Sequence, residues 1–248
     1  MDQAHKAIYE KYHETLYKST QSWRDYRLTS AGYAEWYYAC LPADKEARIL
    51  DLGCGDGKFL FFLQKSGYTC IEGLEISSQQ AEEAKKHVEC CIHVVDDSAV
   101  FLKEHPATYE MITLNDVLEH VPKQQTVGFL KTALGALRPR GNLVINVPQA
   151  YGFTSLFTRY NDFTHETLFT EMSLRQVLSL AGFTNIGFIR QKWPPKWTPR
   201  HMAYRLARRM WYAILKLIYI IELPAERHPG SFQGRLVVSA MRPQIPND

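Results

Sequence analysis

The sequence lacks the cysteine spacing of a zinc or dithiol site. Cys40, Cys54, Cys70, Cys90 and Cys91 form no C-x-x-C pair and have no matching histidine pattern, so reduced, structural thiols are expected and no metal site is read from spacing. Residues 1–6 show no basic segment followed by an apolar run and cleavage site, which gives a cytoplasmic chain as the expectation. No apolar run reaches the about 20 residues needed to cross a bilayer; the stretch 211–221 is interrupted by Lys216. With 46% hydrophobic and 22% charged residues in 248, the composition excludes a disordered chain and suits one globular domain with appendages. Acids are scarce in one region. From Arg190 onward eleven Lys and Arg face only Glu222, Glu226 and Asp248, an excess of eight that, against +3 overall, leaves the first 189 residues at −5. Such a basic end calls for an anionic partner or surface.

What is present is concentrated at Ile49-Leu50-Asp51-Leu52-Gly53-Cys54-Gly55-Asp56-Gly57-Lys58-Phe59-Leu60, an apolar strand running into a glycine-rich turn and then a helix. Glycines there let the backbone turn sharply and bring its N–H groups close to a ligand. A dinucleotide loop wants G-x-G-x-x-G, whereas this run is G-x-G-x-G with Asp51 before it, which disfavours NAD. A second strand, 69–74, ends in Glu75 about 20 residues past the glycines, the spacing of an acid on a ribose diol. The string Leu-Asp-Leu-Gly-Cys-Gly-Asp-Gly resembles motif I of the class I S-adenosylmethionine (SAM) dependent methyltransferases.

That resemblance implies SAM as cofactor, S-adenosylhomocysteine as product, and a set of binding positions. Asp51, Gly53, Cys54, Gly55 and Gly57 fall on the loop, Glu75 and Ile76 on the ribose. Asp97, preferred over Asp96, falls with Ser98 on the adenine after the apolar run 91–95. Asn115, Asp116, Val117 and His120 fall within Asn-Asp-Val-Leu-Glu-His-Val-Pro, which looks like the fourth-strand motif that lines the methionine end. Taken singly, each acid reads equally as a helix cap or solvated charge, and Glu119 and His120 as capping or bracing groups.

From residue 45 onward strands and helices alternate, with helices read at 58–66, 78–87 and 124–137 and a fifth strand at 142–147 after the turn Arg138-Pro139-Arg140-Gly141. Thr170-Glu171-Met172-Ser173 caps a helix that ends at Gly182, and strands follow at 185–190 and 235–241. The reading is an α/β, doubly wound, mostly parallel seven-stranded sheet of Rossmann-like methyltransferase type, the last strand antiparallel as the family implies. A helical N-terminal cap, 1–44, carries Tyr9, Tyr12, Tyr17, Trp23, Tyr26, Tyr33, Trp36, Tyr37 and Tyr38 at helical spacings, as core or as a cover for the cofactor.

Two insertions interrupt the methyltransferase domain, 45–248. The first, 148–169, leaves the fifth strand where open α/β sheets bind ligands. Its Asn161-Asp162-Phe163-Thr164-His165-Glu166 looks like a signature of methyltransferases encoded with bacterial polysaccharide genes. A hydroxyl acceptor must lose its proton during methyl transfer, and an imidazole beside a carboxylate suits that task. His165 is the candidate base, Asp162 or Glu166 its orienter, and Tyr151, Arg159 and Tyr160 candidate acceptor contacts; the alternative is that His165 braces the following helix. The second insertion, 193–233, has a proline-stiffened connector and a helix over 200–222, basic first and apolar after. It reads as lying on an anionic membrane at the inner face, or as packed on its own domain, a partner or a second copy.

Two enzyme readings follow. The first is O-methylation of a sugar hydroxyl on a cell-envelope glycan or lipid-linked precursor. The second is methylation of a hydrophobic phenol or quinone-type molecule. A non-catalytic SAM-binding scaffold is a third reading. A nucleic-acid substrate is not expected, because Asn115-Asp116-Val117 replaces the Asn/Asp-Pro-Pro-aromatic motif and no Pro-Cys nucleophile follows the fourth strand.

Overall fold

The computed structural model of the chain describes residues 22–152, 154–190, 198–223 and 231–244, with Ile8 and Pro229. Tyr9, Tyr12, Tyr17 and the connector 193–197 lie outside them. The expected sheet is present. Strands β1 (Ile49–Leu52), β2 (Ile71–Glu75), β3 (Cys91–Val94), β4 (Tyr109–Asn115), β5 (Leu137–Pro148), β6 (Thr184–Ile189) and β7 (Arg235–Met241) lie in the order β3-β2-β1-β4-β5-β7-β6. The first five are parallel, and β7 runs antiparallel to both of its neighbours. β1 is buried along its whole length, as a strand covered by helices on both faces must be. The strand order reverses between β1 and β4, so the loops leaving these two strands part there and open a crevice at their carboxyl ends.

The helices are α1 (Trp23–Tyr37), α2 (Lys58–Lys65), α3 (Ser78–Lys85), α4 (Ser98–Glu104), α5 (Thr126–Ala136), α6 (Ser155–Asn161), α7 (Glu171–Ala181) and α8 (Pro199–Glu222). α7 starts as its sequence requires: Thr170 Oγ1 accepts the Ser173 N–H, and Gly182 ends the helix at φ 99°. One expectation is corrected. The turn at 138–141 is absorbed into a single strand, β5, whose pairing with β4 shifts register between Tyr109 and Met111 and whose Arg140 takes φ 64°. The irregularity takes up three extra residues of β5 without ending the strand.

In α1, the rings of Tyr33 and Tyr37 lie 5.1 and 4.6 Å from that of Phe59, and Tyr26 sits edge-on to Phe61 at 5.6 Å. Tyr26 and Tyr37 are fully buried, so the ring bodies are core. Their hydroxyls do more: Tyr26 donates to the Asp56 carbonyl at 2.5 Å and Tyr37 to Asn115 Oδ1. A buried tyrosine needs a partner for its O–H, and here the partners belong to the glycine loop and the end of β4.

Candidate cofactor and acceptor site

The glycine loop leaves β1 at Gly53, φ 72°. A Cβ there would stand 2.5 Å from Val117 Cγ2, and one on Gly57, at φ 82° before α2, would stand 2.8 Å from Ala84 Cβ. Only glycine permits both the dihedral and the approach. The Gly53 and Cys54 N–H groups donate to the Leu74 carbonyl at 2.7 and 3.0 Å, which locks the loop onto the end of β2. Glu75, the residue read as the ribose acid, is buried there. Its Oε2 accepts the Gly55 N–H at 2.7 Å and its Oε1 those of Ile76 and Ser77 at 2.9 Å. Burial raises its pKa while these three bonds oppose the rise, and of the two oxygens Oε2, which accepts one bond, keeps a lone pair for a hydroxyl donor.

Asp51 lies beneath the loop, 1% exposed. It accepts Thr113 Oγ1 at 2.6 Å and Asn115 Nδ2 at 3.1 Å, and burial pushes it up to about 7 against those bonds. Asn115 thus joins Asp51 on one side to Tyr37 on the other. Asp97 is exposed at the end of β3 and caps α4, accepting the Ala99 N–H at 2.8 Å; Ser98 is the first residue of that helix. Cys54 is buried. The glycine cradle, the buried Glu75 and the Asn115–Asp51 pair fit the amino-acid and ribose parts of SAM.

Asp116 adopts φ 55° and is held by Arg235, which also reaches Asn146 Oδ1 at 2.7 Å. In the sequence Arg235 stands out only as the first residue of a strand and as one of the basic residues of the C-terminal part. Its signal was topological: the first residue of an antiparallel last strand falls beside the carboxyl end of β5, opposite Pro148.

After β4 a single 3₁₀ turn, Leu118–His120, meets the first insertion. The Glu119 carbonyl accepts the N–H groups of Glu166 and Thr167 at 2.7 and 3.1 Å, and the loop is closed by the Gln149–Phe169 bridge. His120 and His165 are thereby brought together, ring centroids 4.7 Å apart. His165 Nδ1 lies 2.7 Å from the Thr158 carbonyl, which can only accept, so the proton is on Nδ1. Thr164 Oγ1 donates to Asp162 Oδ1 at 2.7 Å. Its one proton is therefore used, and His120 Nδ1, 2.8 Å away, must donate to it. Both imidazoles present Nε2 as the lone-pair nitrogen.

Asp162 Oδ2 stands 4.0 Å from His165 Nε2, while the group that orients the ring through Nδ1 is the Thr158 carbonyl. Burial and the neighbouring His165 lower His120 to about 4, so His120 is neutral at physiological pH. Glu119 is fully buried, its pKa pushed well up by burial and by nearby Asp116. Of the other candidates, Arg159 donates to the His165 carbonyl, Tyr151 meets Tyr219 of α8 edge-on at 5.7 Å, and Tyr160 is 75% exposed.

Sheet order, glycine cradle and strand-end acid are those of the class I methyltransferase fold. Residues 22–187 match the family described as a methyltransferase domain, and the chain belongs to that family. It is similar to a SAM-dependent methyltransferase from Archaeoglobus fulgidus at TM-score 0.61 and 16% identity, over 93% of this chain and 97% of that one. Among curated proteins it resembles the ubiquinone biosynthesis O-methyltransferases of Klebsiella pneumoniae, 31% identical over 32% of this chain and 34% of that protein, and of Saccharophagus degradans, 27% identical over 46% and 51%. The matched part thus spans from a third to half of those relatives.

Proposed function

We propose that the chain transfers the methyl group to a hydroxyl of an apolar phenol or quinone-type small molecule. The observation that carries this reading is the half-buried His120–His165 pair beside the buried Glu119, at the end of β4 next to the cofactor cradle, with Nε2 of each ring left as the acceptor nitrogen. SAM supplies an electrophilic methyl on sulfur. The protein's part is to align the acceptor oxygen and take its proton, and His165 is the group assigned to the proton. The resemblance to ubiquinone O-methyltransferases favours an aromatic hydroxyl. The ubiquinone O-methyltransferase relatives lend no support to the sugar acceptor.

Apolar acceptors of this kind partition into membranes, and α8 suits that setting. Among the described residues no helix is long and apolar enough to cross a bilayer. One edge of α8 packs back through Leu215 and through Tyr219 against Phe232, ring centroids 5.3 Å apart. Met210, Ile214, Leu217, Ile218 and Ile221 are exposed, as are Arg205, Arg209 and Lys216. A basic helix with an open apolar face matches an anionic lipid surface.

Calorimetric titration with SAM and S-adenosylhomocysteine, followed by transfer of labelled methyl to a catechol and to sugar acceptors, tests the reading. Micromolar binding with transfer to the catechol is expected. Transfer to sugars alone would overturn the acceptor class, and SAM binding without transfer to either would favour the scaffold.

A further inference from the structure

We propose that Glu119, His120 and His165 form a site for a divalent cation of the zinc class, which holds the acceptor oxygen during methyl transfer. One ligating atom from each of the three lies within 4.8 Å of the others. A tetrahedral cation with bonds of about 2.0–2.1 Å needs ligand separations of roughly 3.4 Å, so a side-chain adjustment of about an ångström closes the set.

The independent observation is Glu119 itself. It is 0% exposed, and neither carboxyl oxygen has a hydrogen-bond partner within 3.5 Å among the described residues; the side chain that acts on it, Asp116, is itself held by Arg235. A buried carboxylate without partners is costly, and a cation would satisfy it. The surroundings are those of a metal site. In each histidine the second nitrogen is committed: His120 Nδ1 donates through Thr164 Oγ1 to Asp162 Oδ1, and His165 Nδ1 donates to the Thr158 carbonyl. Such outer contacts fix the tautomer and aim Nε2 at the ion. The backbone fixes the pairing, because the Glu119 carbonyl receives the N–H groups of Glu166 and Thr167. Spacing alone could not reveal the set, since His120 and His165 are 45 positions apart and meet only through this anchoring.

The donor set selects the ion. Two imidazole nitrogens and one carboxylate suit zinc and its borderline neighbours, whereas magnesium and calcium prefer all-oxygen sites. Three protein ligands leave a coordination position open, and a hydroxyl bound there is acidified. The balance is simple. The acceptor O–H releases its proton to solvent, the oxygen lone pair forms the new O–CH₃ bond, and the S–CH₃ bond electrons return to sulfur, turning the sulfonium into a thioether. This catalytic meaning rests on the O-methyl transfer reading, with His165 holding the cation in place of taking the proton itself, but cation binding does not.

The test is titration of EDTA-treated full-length protein with Zn²⁺ by calorimetry and with Co²⁺ by visible absorption, beside Glu119→Gln and His165→Ala. SAM affinity serves as the check on folding. One equivalent per chain is expected, with binding about 100-fold weaker in each variant that still binds SAM. Equal Zn²⁺ affinity in wild type and His165→Ala would overturn the site. So would a thiolate charge-transfer band with Co²⁺, which would assign the ion to cysteine. Should Glu119→Gln fail to fold, His165→Ala alone decides. Absent Zn²⁺ binding together with intact methyl transfer would remove the cation and leave the proposed function standing; stoichiometric Zn²⁺ without transfer would do the reverse.

Discussion

The Tyr37 hydroxyl, from the N-terminal helix, donates to Asn115 Oδ1 at the end of β4, 78 residues along the chain. Asn115 in turn donates to Asp51 at 3.1 Å, so the helical cap is wired into the floor of the cofactor cradle. Tyr37→Phe keeps the ring packed on Phe59 and removes only this bond. A stability loss of about 1–2 kcal/mol is expected, with SAM affinity reduced several-fold. Chemical denaturation and calorimetry read the two effects, and wild-type values in both would show that the hydroxyl carries nothing.

At Gly53 two costs separate. Gly53→Ala meets Val117 Cγ2 and also strains a left-handed backbone, and SAM affinity should fall by about tenfold or more. Adding Val117→Ala removes the collision and leaves the dihedral strain, so the double variant should recover part of the loss. Full recovery would mean that the backbone conformation costs nothing here.

His165→Ala should cut turnover by at least about 100-fold while SAM affinity stays within about twofold. Rapid turnover in that variant would remove His165 from the reaction. Loss of turnover is expected whether His165 takes the proton directly or through a bound cation, and the Zn²⁺ titration separates the two.

Stability should respond to pH through Asp51. Its folded pKa, about 7, stands above the ordinary 3.8, so the native state holds the extra proton between those values and stability falls as pH rises across that window. His120, lowered from 6.5 to about 4, acts in the opposite sense: protonation favours the unfolded chain, and its contribution rises with pH between those values. Asp51→Asn should therefore tilt the profile between pH 5 and 6.5 towards rising stability relative to wild type, by up to about 1.4 kcal/mol per pH unit. Denaturant midpoints across that range measure it, and an unchanged slope would mean that Asp51 does not titrate there.

Charge reversal at Arg205, Arg209 and Lys216, all exposed on α8, should abolish sedimentation with phosphatidylglycerol vesicles at low salt, since each basic residue contributes about 1 kcal/mol near an anionic surface. Neutral phosphatidylcholine vesicles should bind neither form. Equal binding of the variant to anionic vesicles would reject the lipid surface.

The cofactor half of the site was legible because its signals are local. Glycines at 53, 55 and 57 must follow a strand, and Glu75 must end the next one. Strand order and the antiparallel β7 came with the resemblance those residues carry. The acceptor half was harder to read. His165 was visible as a loop histidine, but its partner Glu119 lies in one 3₁₀ turn that no periodicity marks, and Arg235 reaches Asp116 across 119 residues. The aromatic stripe of α1 was read as either core or cover, and the structure makes it both: packed rings with hydroxyls directed at the site. The turn expected at 138–141 but absent has a plain cause, since Pro and Gly beside two arginines signal a reversal, whereas here they serve an irregularity within β5.

The bridge between Gln149 and Phe169, seconded by the Ala150 N–H on the Phe169 carbonyl at 2.9 Å, makes everything between them a cassette clipped at its two ends. A replacement of different length or composition could be carried on the same clip without disturbing β5 or α7. On the proposed reading, in which this stretch meets the acceptor, grafting the corresponding stretch from a relative is expected to move the choice of acceptor while the methyl-donor half stays as it is.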